Sequence, residues 1–433
     1  MATEKYGVYG RLLTSEGTAA VTNATNVVFI GAAKCLTALG EWTGRSNEPV
    51  YITSEKDYAN EFGGAVGDGW SLSDAVEAAF RVCHLEGIWV INVNTEASEG
   101  TPAFASESDV TATALIGDAS LETGCYAIQK LYPDHGAIAN VACIPVIHAG
   151  GGETRDDVLS ALKANITKAN GHWDGIMVYD VLEAADQINA SSILVPAQVV
   201  AAKDLADERA IANFGRVITS MSGGTVSRAI SGAAVKACLY AQTDAAQPGK
   251  LPSRSIGNIY VSGCLGVCIA PAGTYSAPIR ISEAQATQLS ADGIIGWLNK
   301  GGGRFYTWGD HSSAFAVGPI SDERARFDNG IRMLFHLTNR FQQVWSDQID
   351  SGLTLAMRDA ILAEENEYLA YCTGMGALIG TPICIFAPDN NLTTAQSGQF
   401  YFKDIATTTP PFKYAELGVA FSSDGFSVYF AEE

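Results

Sequence analysis

The chain has 433 residues, 47% hydrophobic and 17% charged, a length that predicts two or three domains and a surface partly covered by something other than water. Against 27 Lys and Arg stand 47 Asp and Glu, a formal charge of −20, which excludes nucleic acid and anionic membranes as partners because both need a basic footprint. The start, Met1-Ala-Thr-Glu-Lys5, is no leader, and no apolar run approaches the ~20 residues that span a bilayer, so the expectation is a chain made in the cytoplasm without membrane insertion.

In chain order, Tyr6–Leu13 reads as a short extended arm, and Val27–Ile30 as the first core strand. Pro49–Thr53 is strand-like, and Ser54-Glu-Lys-Asp57 caps a short helix through Tyr58 and Phe62. Leu72, Val76, Ala79, Phe80 and Cys83 share one helical face, and Ile88–Val93 is a buried strand. Residues 94–113 turn to Thr, Ser, Ala and Glu, a polar insertion or loop. A helix is expected near Leu121–Leu131, strands at Val141–Ile147 and Gly175–Tyr179, and between them a helix capped by Thr154-Arg-Asp-Asp157. Alternation of this kind predicts a sheet, parallel in part, covered by helices.

Pro and Gly residues between Gln247 and Asn258 mark the clearest boundary. Beyond it come a helix capped by Ser282, a long amphipathic helix from Ser321 to Trp345, and another over Thr354–Tyr371. Strands come next at Pro382–Ala387 and Gln399–Lys403, with a closing hairpin of Leu417–Phe421 and Phe426–Phe430. The fold class is thus α/β and α+β in several domains: an arm over 1–25, an α/β domain over 26–255 and a second domain over 256–433.

Catalytic signals are weak. Gly301-Gly-Gly303 lies between Lys300 and Arg304, yet the next residues, Phe305–Trp308, are rich in β-formers rather than opening a helix, so a structural hairpin that includes Trp308 and Gly309 is the better reading. Ala149-Gly-Gly-Gly-Glu153 sits between a strand and a capped helix and keeps a nucleotide- or sugar-phosphate-binding enzyme as the alternative, although it lacks the Lys-Ser/Thr ending. Asp310-His311-Ser312 are neighbours along the chain, which does not make a relay. The nine cysteines mostly occupy apolar runs and read as free buried thiols, and neither the Cys264/Cys268 pair nor the six scattered histidines form a metal site. The reading is of a protein that is not an enzyme, with no cofactor and no metal.

The two ends are more informative. A strand-like arm and a terminal strand each leave an edge to be covered; pairing with another copy would do so through main-chain hydrogen bonds, and an N-terminal strand that joins its own chain's sheet is the alternative.

Several segments, taken in order, resemble a contractile tail sheath protein of the kind found in contractile-tailed bacteriophages and R-type bacteriocins. They are Tyr6-Gly-Val-Tyr9, Val28-Phe-Ile-Gly31, Pro49–Ser54 with Tyr58 and Phe62-Gly63, Ser227–Asp244, Pro248–Asn258 and Leu289–Ile295. Gly301-Gly-Gly-Arg304, Trp308-Gly309, Gly376-Ala-Leu-Ile-Gly380, Asp389-Asn-Asn391 and Pro410-Pro-Phe412 complete the series. The family commonly has an Arg-Thr pair where this chain has Asp310-His311-Ser312.

The resemblance implies an outer α/β domain and an inner, tube-facing domain built mainly from the C-terminal part. It implies a helical homopolymer around a tail tube protein, held between baseplate and tail terminator proteins. Such a particle, a virion tail or bacteriocin, is assembled in the host cytoplasm and contracts from a metastable extended state to drive the tube through a cell envelope. Strand exchange would use Tyr6, Val8, Tyr9, Leu12, Leu417, Val419, Phe421, Phe426, Val428 and Phe430, and Arg324, Arg332 and Arg340 would face the tube.

Overall fold

The computed structural model describes residues 25–37, 40–98, 100–147, 152–169, 173–181, 205–220, 227–269, 278–317, 324 and 326–430. The arm residues Tyr6, Val8, Tyr9 and Leu12 lie outside them.

The strands begin with β1 (Val27–Gly31) and β2 (Pro49–Ile52), and then come helices α1 (Glu55–Phe62) and α2 (Ser71–Glu77). Ser54 caps α1 by accepting from the Asp57 amide. Next are β3 (Ile88–Asn92), the short pair β4 (Glu96–Ser98) and β5 (Thr101–Pro102), α3 (Ala112–Ile116) and α4 (Leu131–His135). The expected helix at Leu121–Leu131 is instead a 3-10 turn over Gly124–Lys130 running into α4. After β6 (Val141–Cys143) come α5 (Arg155–Ile166), β7 (Thr167–Ala169), β8 (Trp173–Asp174), β9 (Ile176–Asp180), β10 (Ala210–Asn213), β11 (Arg216–Ser220) and β12 (Ser227–Ile230). The chain continues through α6 (Gly232–Ala245), β13 (Gly266–Cys268), α7 (Glu283–Ala291), β14 (Ile294–Asn299) and β15 (Phe305–Trp308). It closes with α8 (Asp328–Trp345), α9 (Leu355–Gly374), β16 (Leu378–Phe386), α10 (Leu392–Gln396) and β17 (Phe402–Thr408).

Eight strands form one sheet in the order β15-β14-β10-β9-β6-β1-β3-β2. The six from β14 to β3 run parallel, with antiparallel β15 and β2 at the edges. Continuous burial of Val27–Gly31, Ile88–Asn92 and Ile176–Asp180 is what parallel strands covered on both faces require. Helices α2, α5, α6 and α7 pack on this sheet. The expected division at 255/256 therefore runs through one sheet, since β14 pairs β10 (Ala212 with Ile294) from beyond it. The Pro/Gly segment is a surface connection, and parallel pairing brings the chain back.

A three-stranded sheet, β12-β11-β13, stands beside the main one. A separate small core joins α8, α9 and the β16–β17 ribbon through Leu251, Met333, Leu337, Leu369, Cys372, Leu378 and Cys384. Helix α8 begins at Asp328, after Phe327, rather than at Ser321. The terminal hairpin is also corrected: Leu417–Phe421 has no regular structure and Asp424–Phe430 is a 3-10 turn. Alternation supplies a strand's pattern, but a strand exists only where a partner takes its hydrogen bonds.

Candidate functional site

In open parallel sheets, ligands bind beyond the carboxyl ends of the strands. Here that position holds the chain's own groups. Asp180, at the end of β9, accepts from Ser231 Oγ at 2.7 Å and from the Ala233 amide at 2.9 Å, and Asn213 at the end of β10 also donates to it. A carboxylate thus sits where the α6 N-terminus would attract a phosphate. A Cβ on Gly232 would lie 2.2 Å from the Gly215 carbonyl oxygen, so the backbones meet without a gap. One turn on, Lys236 is fully buried, donates to the Ile295 carbonyl and lies 4.7 Å from the Trp297 ring. Burial holds its pKa well below the usual lysine range. At the end of β1, Ser71 Oγ accepts from the Ala32 amide at 2.8 Å and fills the equivalent space. Residues 149–151 of the candidate phosphate loop lie outside the described residues. Glu153 is exposed, and Thr154 with Asp157 caps α5, Thr154 Oγ1 donating at 2.5 Å.

The Asp310-His311-Ser312 run is packed rather than poised. His311 stacks on Phe315 at 3.9 Å and on Phe327 at 5.3 Å, and its Nδ1 donates to the Arg326 carbonyl at 3.0 Å. Burial lowers its pKa. Asp310 is held by the Lys413 ammonium.

Between Lys300 and Arg304 the glycines form a hairpin turn. β14 and β15 pair from Gly296 opposite Trp308 to Asn299 opposite Phe305. Gly301, Gly302 and Gly303 have φ of +103°, +61° and +72°, conformations side chains rarely adopt. The Lys300 ammonium, which an anion site would need free, lies 4.9 Å from both the Tyr306 and the Trp308 rings. Gly309 comes next at φ +112°, where a Cβ would lie 3.2 Å from the Ile294 carbonyl oxygen.

The three arginines separate. Arg332 is 5% exposed and pairs with Asp244 of α6, its guanidinium 4.4 Å from the Tyr240 ring. This corrects its expected tube-facing role: a helix pattern does not distinguish a cation on the polar face from one buried with an anion. Arg340 is turned toward α9, its Nη1 donating to Glu365 at 2.9 Å and its Nη2 to Glu364 at 3.0 Å, over the Tyr368 ring at 3.8 Å. Glu365, itself buried, also accepts from Trp345 Nε1 at 2.7 Å. Side by side in the sequence, Glu364 and Glu365 have the pattern of a solvated acidic face; Arg340, which reaches both, and Trp345, which donates to Glu365, come from the facing helix. Arg324 is exposed.

Among the described residues, exposed apolar side chains concentrate in the C-terminal segment. Leu417, Val419 and Phe421 are each about 84–85% exposed, Phe412 and Val428 are also exposed, and Phe426 is half so. The side chain of Phe430 lies outside the described ones. The nearby ribbon likewise exposes Ile379, Ile383 and Ile405. Exposed apolar side chains concentrated in this way mark a surface for association.

No protein-family model matches the sequence, and no curated protein matches it significantly. Solved structures do match. The helical sheath of the anti-feeding prophage in its contracted state aligns over 98% of this chain and 100% of that one, with a TM-score of 0.64 at 14% identity. The chain has the contractile-sheath fold. The contracted PVC sheath complex of an extracellular contractile injection system aligns over 98% of this chain and 99% of that one, TM-score 0.62, 13% identity. A sheath tail protein of Desulfitobacterium hafniense aligns over 92% and 100%, TM-score 0.55, 11% identity. The sheath fold thus accounts for the large sheet, the small α8–α9 unit and the ribbon together, because the alignments run through all of them.

Proposed function

We propose that this chain is the sheath subunit of a contractile injection particle. Copies polymerise as a helical tube around an inner tail tube, between baseplate and terminator proteins, in a metastable extended state that contracts to drive the tube through a target envelope. The supporting observation is the exposed, alternating apolar segment Leu417, Val419, Phe421 that follows the two-stranded ribbon along the chain, within a sheath fold that spans the chain. A two-stranded ribbon leaves both of its edges open, and adding a strand from a neighbouring copy would pair an edge and cover exposed apolar side chains together. The arm at Tyr6, Val8, Tyr9 and Leu12 supplies a second such strand. The inner, tube-facing unit is then the α8–α9 helices and ribbon with the terminal segments, and the large sheet forms the outer part.

A charge of −20 per copy makes close-packed subunits repel, which favours a lattice held short of its most compact arrangement. Rigid-body rotation then buries new surface between subunits. At ~25 cal/mol per Å2, a few hundred Å2 supplies roughly several kcal/mol per subunit without nucleotide hydrolysis.

Negative-stain microscopy of the full-length protein, with and without co-expressed tube protein, tests this beside a version lacking residues 1–13 and a Val419→Asp/Phe421→Asp variant. Striated hollow tubes are expected from the full-length chain and from neither altered form. Discrete small particles in every condition, tube included, would overturn the proposal.

A further inference from the structure

The roots of the two terminal segments are tied to one buried polar chain. Thr25, the last residue of the N-terminal arm and the first described one, donates its hydroxyl to Asp244 at 2.5 Å. Asp244 pairs with Arg332, whose guanidinium lies on the Tyr240 ring. The Tyr240 hydroxyl donates to Asp328 at 2.9 Å, and the Asp328 amide donates to the Asp310 carbonyl at 3.0 Å. The Asp310 carboxylate receives the Lys413 ammonium. Beside Asp328, Asn329 donates to the Thr409 carbonyl at 2.9 Å, just before the terminal segment departs. Asp244, Tyr240, Asp328, Asn329 and Arg332 are all buried, as is Asp310. Lys413 is the part-exposed end of the chain of contacts, with 42% of its side chain accessible.

We infer that this network couples the two terminal segments within each subunit, so that loosening one root loosens the other. The physical reason is the low dielectric around it. Withdrawing Lys413 takes the ammonium from the buried Asp310 carboxylate, leaving His311 Nε2 at 3.9 Å beside it, and so changes the charge next to Asp328, the acceptor that Tyr240 and, through its ring, Arg332 lean on. Withdrawing Thr25 removes a donor from Asp244 and changes its hold on Arg332 from the opposite end. Coupling of this kind is reciprocal by thermodynamic necessity. If the segments are the exchanged strands of a sheath, a subunit whose one link has moved would relax its other link, passing a contraction step along the lattice. That use rests on the sheath reading; the coupling itself is a property of one subunit.

Limited tryptic digestion of the full-length, unassembled subunit tests it, with cleavage after Arg11 and after Lys413 followed by mass spectrometry. Cleavage after Lys236, buried in α6, reports global unfolding and is used to correct both rates. Asp310→Asn is expected to speed cleavage after Lys413 and also, by about fivefold, after Arg11, which is the low end of ordinary coupling between sites. Thr25→Val is expected to do the converse, speeding both, while Thr25→Ser restores both and Ser120→Ala, on a distant exposed turn, changes neither. If each substitution affects only its own end after correction, or Thr25→Ser fails to restore the Lys413 rate, the coupling is overturned. Because no polymer is involved, this outcome is separate from the microscopy of assembly.

Discussion

Ser231 donates its hydroxyl to the Asp180 carboxylate at 2.7 Å and thereby closes the start of α6 against the ends of β9 and β10. The same oxygens that satisfy the helix terminus keep an external anion out.

Asp180→Asn removes the charge while keeping the shape. Its hydrogen bonds from Ser231 Oγ and the Ala233 amide lose their ionic character, and one nitrogen now faces donors. A stability loss of about 2–3 kcal/mol is expected, read from the urea midpoint at unchanged slope. Adding ATP or inorganic phosphate to the unaltered protein is expected to leave its Tm where it was; a rise that tracks ligand concentration would reopen the nucleotide reading.

Arg340 and Glu365 hold α8 against α9 across the small core. Arg340→Met leaves the buried Glu365 carboxylate with Trp345 Nε1 as its one remaining donor among the described residues, at a cost of about 3–5 kcal/mol. The Arg340→Met/Glu365→Met pair is expected to recover much of that loss, because no charge is then left stranded. Urea unfolding of the four proteins of this cycle measures the difference. Equal losses in the single and the double variants would show that packing, and not the charge pair, sets the cost.

Two titratable groups make stability depend on pH in opposite senses. Burial, then the nearby Arg340 and Arg332, lowers the His336 pKa from 6.5 to about 4, and its Nε2 lies 2.6 Å from the Tyr368 hydroxyl. The unfolded chain therefore takes up a proton first as pH falls, and stability declines through that window. Burial, then the Asp310 charge, raises Asp328 from 3.8 to about 7 despite its bonds from Tyr240 and Ser255 and the field of Arg332. For Asp328 the unfolded chain loses its proton first, so stability declines as pH rises through its window. The two windows overlap and oppose each other, so compared with the unaltered protein the urea midpoint should fall more steeply as pH rises between about 4 and 7 in His336→Phe, and rise more steeply over the same range in Asp328→Asn. Identical profiles in both variants would show that other groups govern the dependence.

Much of the fold is legible in local pattern. β1, β2, α1, β3 and β9 stand out as apolar runs or a capped amphipathic turn, and the glycine run between Ile294–Leu298 and Phe305–Trp308 announces a hairpin. β10 does not, because Ala-Ile-Ala-Asn carries little strand preference and is placed by β9 and β14 on either side of it. The 255/256 boundary fails for a related reason: Pro and Gly report where the chain turns, while only long-range pairing reports which sheet it rejoins. At the candidate surface, the exposed residues Leu417, Val419 and Phe421 are visible as an alternating apolar run, but Arg332 and Glu365 are not visible as buried. Their partners Asp244 and Arg340 lie 88 and 25 residues away, beyond the reach of any local window.

The pairing of β14 with β10, and of β1 with both β3 and β6, has a kinetic consequence. These parallel contacts join segments tens to more than a hundred residues apart, so their loop-closure entropy is lost before any packing is gained, and the main sheet forms slowly for its size. Until Ile294–Asn299 docks, β10 presents an open edge, the kind of surface that captures a wrong strand. The order of events is thereby constrained: a subunit must finish its own sheet before it lends strands to another, and any substitution that delays β14 should appear first as insoluble protein rather than as a defective polymer.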